Sequence, residues 1–373
     1  MNEPGRTRRS GAEEPERAAT RSGGRGARRG QAAGEARADA GARADAAGRA
    51  DAAGRADVGT RADAAGRADA ATRADAGGRA LRRGAVSGAV PPRRSALRAR
   101  SFLGTLKALD ALSAAGAQVS VRVADIDSGE AVLVGDDHLT LPVAGLGVVP
   151  LLIEVAAQIE AGTLDPLQII ERTAVDPVTV GGLWHQLKAP ALPVSDLAVL
   201  AAAASDATAA NALLARVGLD AVRARVEQIG LVKTALLDGF RDTRGPDDAP
   251  HVALASTGEL AALFAALVNA HVVSPAVSAQ VSEWLSLNQD LALVGASTAL
   301  DPFAHDDDRH GLLFVNKTGR ADGIRAEAGV IAGPRAGAAY ALIVCFDDLS
   351  VAHRVRAHEA FRALGLDLME YAY

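Results

Sequence analysis

The chain predicts an α+β fold of three-layer type: one antiparallel sheet built from both ends of the folded part, flanked by helices, with an all-helical lobe inserted between them. Three observations carry this expectation. Strand-period patterns stand near the start and near the end of the stretch after residue 100. Helix-period patterns fill the middle. Runs of strands separated by a run of helices are the signature of a segregated α+β arrangement.

The elements follow in order. Ser101 precedes Phe102, Leu106, Leu109 and Leu112, a helical stripe that Gly116 can close. Val119, Val121 and Val123 alternate as in a strand, Asp127-Ser128-Gly129 turns, and Ala131 to Val134 returns. Residues 148–161 read as a buried helix stopped by Gly162. Five helices fit the middle: Asp196 to Ala204, Thr208 to Val217, Asp220 to Ile229 with Asp220 as N-cap, Thr257 to Asn269 and Ser274 to Ser286. Strands return at Leu312 to Asn316, Ala328 to Ile331 and Tyr340 to Phe346, and an amphipathic helix, Ser350 to Leu364, closes the chain.

Composition separates two domains, 1–100 and 101–373. Residues 1–100 contain no Phe, Trp or Tyr and hold 22 Arg against 12 acids, a net of +10. The remainder holds 18 of the 40 basic and 33 of the 45 acidic residues, a net of −15. The first part has too little apolar surface to offset chain entropy. Within it Arg-Ala-Asp recurs with Arg at 37, 43, 49, 55, 61, 67 and 73. A period of six advances about 600° on a helix, so the repeat spirals rather than forming a face. A disordered, low-complexity tail is expected. Each repeat Arg is matched by an Asp, so the tail is not expected to bind nucleic acid.

The single cysteine, Cys345, excludes an internal disulfide and reads as a small buried hydrophobe in an apolar run. No apolar stretch reaches the roughly 18 residues of a membrane span. Arg8-Arg9 is followed by no apolar segment, so no export signal is recognised and a cytoplasmic location is expected; a different start or export route would place the protein outside the cytoplasm. The eight histidines show no ligand spacing. His305-Asp306-Asp307-Asp308-Arg309-His310 reads as an acidic surface loop rather than a metal site. No cofactor is expected, and a monomer is.

Three blocks carry chemistry. The first is Leu141-Pro142-Val143-Ala144 leading into the 145–162 helix. The second is Ser205-Asp206-Ala207-Thr208-Ala209-Ala210-Asn211 opening another. The third is Asn316-Lys317-Thr318-Gly319 at the end of a strand, with Gly329-Val330 on the next. In this order and setting the chain, over about 101–373, resembles the class A β-lactamase and penicillin-binding serine hydrolase family.

The resemblance implies recognition of a β-lactam or a D-alanyl-D-alanine-type amide. It also exposes losses. The family's nucleophilic Ser and its Lys base, one helical turn apart, fall on Gly145 and Val148, which carry neither an attacking atom nor an amine. The third residue of the Ser-Asp-Asn motif is Ala207. The loop that should supply a water-holding Glu reads Leu237-Asp238-Gly239-Phe240-Arg241-Asp242, with Asp238 and Asp242 as candidates only in a shifted register. Loss of a nucleophile or base typically removes several orders of magnitude of rate. What the resemblance retains is a binding half: Lys317, Thr318 and Gly319 suited to a carboxylate, Ser205 beside Lys317, and Arg325 adding charge.

Bland readings stand beside these. Ser205 can cap the following helix, Lys317 can be a strand-end lysine, and Asp206 reads as a loop-holding residue. Gly145 and Gly147 either leave the old oxyanion region open or fray the first turn. Three functions therefore stay open: a pseudoenzyme retaining the cleft, an active serine hydrolase using Ser205 and Lys317, and a binding protein acting through its basic tail.

Overall fold

The computed structural model describes residues 102–373 apart from 180, 306–310 and 349. The expected tail (1–100) and most of the His305–His310 loop lie outside the described residues.

Helix α1 (Leu103–Ala114) leads into strand β1 (Gln118–Asp125), which pairs antiparallel with β2 (Ala131–Gly135). The far end of the chain supplies β8 (Leu313–Ala321), β9 (Ile324–Ala332) and β10 (Gly337–Cys345). Strand β10 pairs antiparallel with β1, which gives a five-stranded sheet in the order β2-β1-β10-β9-β8. The closing helix α8 (Val351–Ala372) packs on α1, where Asp367 Oδ2 accepts hydrogen bonds from Thr105 N at 2.8 Å and Oγ1 at 2.7 Å.

Both faces of the sheet are covered, so its inner strands read as apolar runs rather than as alternation. On β10, Ala339, Ala341 and Ile343 face the helical lobe. Ala338, Tyr340, Leu342 and Val344 face the layer of α1 and α8. Helices therefore sit close on the alanine side, while the other side is filled by large side chains.

Between the two sheet halves come the short strand β3 (Leu141–Pro142), a 3₁₀ turn (Ala144–Gly147) and helix α2 (Val148–Glu160). The short strands β4 (Ile169–Glu171) and β5 (Ala191–Pro193) pair with each other. Helices α3 (Val194–Ala203), α4 (Ala207–Val217) and α5 (Leu219–Gln228) follow. Strands β6 (Ala235–Leu236) and β7 (Ala253–Ala255) join β3 in a small sheet. Helices α6 (Thr257–Val268) and α7 (Pro275–Ser286) complete the lobe. All residues from Val148 to Ala157 are buried, as expected of a helix apolar on every side. Its one charge there, Glu154, is met by Arg225 Nε of α5 at 2.8 Å.

The expected elements are present, with shifts at their ends. The helix at 219–228 starts after Gly218 (φ +88°), with Asp220 inside its first turn rather than capping it. Strand β8 runs on to Ala321, because it keeps its register with β9 through Arg320↔Arg325 and Ala321↔Ile324.

Candidate functional site

A cleft of about 960 Å³ opens among the 3₁₀ turn, the start of α4, the 240–252 loop and the β8 edge. Two non-glycine residues on its wall have left-handed backbone, Ala144 (φ +47°) and Ser205 (φ +51°). Such strain persists only where surrounding contacts hold it, and it gathers at functional sites.

Position 145, where the resemblance places a serine, is closely packed as well as lacking a side chain. A Cβ on Gly145 would lie 2.9 Å from Thr318 O, and one on Gly319 would lie 2.0 Å from Val143 O. The turn and the β8 edge are therefore pressed together through two glycines. A Cβ on Gly147 would meet Ala253 Cβ at 2.6 Å. Close packing, rather than an open oxyanion region or a frayed turn, accounts for both Gly145 and Gly147. Val148 is buried and presents only aliphatic surface to the cleft.

Asp206 is the N-cap of α4, accepting from Ala209 N at 2.8 Å. Its other oxygen accepts from Leu183 N and Trp184 N, both at 2.7 Å, and so ties down the 181–184 loop. Ser205 is thus not the cap. Its hydroxyl accepts a hydrogen bond from the Lys317 ammonium. Lys317 is fully buried. Burial pulls its pKa down to about 8, against the opposing charge of Asp290.

Strand alternation sends Lys317 to one side of β8 and Thr318 and Arg320 to the other. Thr318 Oγ1 donates to Asp290 Oδ2 at 2.7 Å. Arg320 grips the same carboxylate with Nε on Oδ2 and Nη2 on Oδ1, each at 2.7 Å. Burial alone would raise the Asp290 carboxyl; Arg320 and Thr318 outweigh it and hold the group below the usual carboxylate range.

Arg325 does not line the cleft. Its Nη1 donates to the carbonyls of Ala321 and Ile324 at 3.0 and 2.7 Å. Arg320, its cross-strand partner, is the one of this pair that lines the cleft. Asp238 is held by Arg244 at 2.9 Å and Arg241 at 3.2 Å, and Asp242 accepts from Thr179 N and Oγ1. Arg241 lines the cleft in the stretch where the family's glutamate was sought. Sequence reasoning missed Arg320 and Asp290. Strand period was a usable signal for Arg320, two residues after Thr318. Nothing local marked Asp290, which reaches Thr318 across 28 residues.

Among the described residues no group of three or more His, Cys, Asp or Glu could hold a metal ion. No described helix is long and apolar enough to cross a membrane.

The profile of the beta-lactamase enzyme family matches residues 105–372. The chain belongs to that family. No match to a curated protein was found. Among solved structures, the β-lactamase of Sphaerobacter thermophilus DSM 20745 aligns with a TM-score of 0.62 at 23% identity, over 70% of this chain and 96% of that one. PBP-A aligns with a TM-score of 0.59 at 17% identity, over 72% and 96%. A class A β-lactamase variant of the last common ancestor of Gram-negative bacteria aligns with a TM-score of 0.58 at 22% identity, over 71% and 98%. A mutant PBP-A has been solved as an acyl-enzyme complex with penicillin G. At these identities the likeness is one of fold, and it places this member's domain within the β-lactamase-like, penicillin-binding architecture.

Proposed function

We propose that this family member is a pseudoenzyme: a binding protein that accommodates a β-lactam or a cell-wall-type acyl-D-alanyl amide in its cleft without forming an acyl-enzyme from its nucleophile helix. One observation carries the reading. Gly145 offers no attacking atom, and a side chain there would meet Thr318 O at 2.9 Å. Val148 cannot take a proton, Asp238 is paired with Arg244, and Asp242 accepts from Thr179. Support for binding comes from the family, from the penicillin G held by a PBP-A of the same fold, and from a cleft of about 960 Å³, large enough for a small ligand.

A second reading is favoured by the Ser205–Lys317 contact. Ser205 lines the cleft, and its partner amine has a pKa of about 8. The neutral amine could take the Ser205 proton as Oγ bonds to the amide carbonyl carbon and the C=O π pair moves to oxygen; the pair's return would break the C–N bond, the Lys317 ammonium giving its proton to the leaving nitrogen and leaving an acyl-Ser205.

Intact-protein mass spectrometry after incubation with a penicillin and a cephalosporin separates the two. The pseudoenzyme predicts no covalent adduct and reversible binding. An adduct that disappears in Ser205→Ala would establish the serine–lysine hydrolase and end the pseudoenzyme reading. That activity would rise with pH through about 8, as Lys317 loses its proton.

A further inference from the structure

We propose that Asp290 is a built-in occupant of the carboxylate seat formed by Thr318 and Arg320, so that this seat is closed to a ligand's free carboxylate: a β-lactam would have to lie in the cleft with its carboxylate outside the seat, and a ligand whose end beside Asp290 is uncharged fits better. The inference rests on reading the cleft as a ligand site.

The geometry is that of a bound carboxylate. Oδ2 of Asp290 accepts from Thr318 Oγ1 and Arg320 Nε, and Oδ1 accepts from Arg320 Nη2 and from Ala292 N at 3.3 Å. Both oxygens are therefore saturated in the two-pronged arrangement an arginine makes with a carboxylate ligand. The occupant is held in place rather than resting there by chance. Gln289 N donates to Ala203 O at 3.0 Å and Asp290 N to Asn288 Oδ1 at 3.4 Å. Asn288 Nδ2 in turn bonds Asn316 Oδ1 of β8 at 2.9 Å. The segment after α7 is thus fastened to both the helical lobe and the strand whose donors it fills.

Among the described residues the arginines around the cleft are already engaged, and the Lys317 ammonium is held on Ser205. Of the other cleft arginines, Arg244 pairs with Asp238 and Arg241 with Asp238 and Asp248. Arg325 is turned away to backbone carbonyls. Asp322 adds another acid to the lining. An incoming carboxylate would have to displace a tethered one and then sit beside its charge. Like charges brought together at a binding site are strongly selected against. A terminal amide beside Asp290 needs no arginine seat and meets no like charge.

The test uses formate, the smallest carboxylate, and two peptides that differ only at the end. Chemical-shift titrations on the isotope-labelled full chain would follow the Thr318 and Arg320 amides in the native protein, Asp290→Ala and Asp290→Asn, with folding checked by circular dichroism. Expected is a saturable formate response in the variants, about tenfold or more tighter than in the native chain. Arg320→Ala on the Asp290→Ala background should remove it. Equal formate binding in native and variant proteins, or no gain in either variant, overturns the proposal. N-acetyl-D-alanyl-D-alanine and its C-terminal amide form the second arm. The native chain should prefer the amide and Asp290→Ala the acid; a native preference for the acid overturns the proposal. If neither peptide binds while the formate gain holds, the Asp290 seat is supported and the acyl-D-alanyl reading under Proposed function fails instead.

Discussion

Gly145 is informative through the space it lacks. A Cβ there would lie 2.9 Å from a backbone oxygen, which cannot swing away as a side-chain tip would. Replacing Gly145 by Ala should destabilise the protein by about 1–3 kcal/mol, the usual range for overpacking. Gly145→Ser should be at least as costly and should still give no penicillin adduct. Urea unfolding and intact mass check both. A Ser variant of native stability that acylates would show that the position is open and would remove the main support for a pseudoenzyme. The sequence revealed that position 145 is a glycine where the resemblance expects a serine, because residue identity alone shows that. The close packing at this position was not legible, since it depends on β8 pressing on the 3₁₀ turn from across the fold.

Among elements, helix α4 and the loop before β5 are joined by one carboxylate. Asp206 is almost fully buried and accepts from Leu183 N, Trp184 N and Ala209 N. Gly182 (φ +79°) permits the approach, since a Cβ there would sit 2.6 Å from the Asp206 carboxyl. Asp206→Ala would unfasten the cap and strand two amides beside the buried Trp184. We expect a loss of about 2–4 kcal/mol, combining a lost cap with buried unpaired donors. A change in unfolding free energy below about 1 kcal/mol would contradict this role. The sequence pointed to Asp206 as a loop-holding residue but placed the cap one residue early, at Ser205, and the reach of Asp206 back to Leu183 and Trp184 had no local signature. Elements were generally legible because periodicity is local, and their ends less so. Strand β8 was expected over Leu312 to Asn316, with Lys317-Thr318-Gly319 at its end. Pairing with β9 carries it to Ala321 and puts Arg320 into the cleft.

At the scale of the whole molecule, the central sheet and the cleft share a polar chain buried in an otherwise apolar layer. Glu327 on β9 stands opposite Thr318 in register. It is fully buried and accepts from Val294 N at 2.8 Å, Asn316 Nδ2 at 2.7 Å and Tyr340 OH at 2.8 Å. Asn316 continues through Asn288 to the Asp290 segment. The overall architecture was legible because apolar periodicity records which layers cover a strand. This chain of contacts was not, because its members come from distant segments. Burial raises the Glu327 pKa to about 7, with the three donors opposing and the Asp290 charge adding to it. The folded state therefore holds this proton more tightly than the unfolded chain, whose carboxyl titrates near 4.5. The group's contribution is fully favourable below about pH 4.5 and is lost as the pH climbs through about 7. A shift of this size corresponds to on the order of 3 kcal/mol between those limits. Glu327→Gln removes the titration and leaves the other ionisable groups in both proteins. The difference in unfolding free energy, variant minus native, should therefore rise by up to about 3 kcal/mol as the pH increases through that window. Urea unfolding of both proteins across it decides the matter. A difference that does not change with pH would mean that Glu327 is ionised throughout, and that its three donors outweigh its burial.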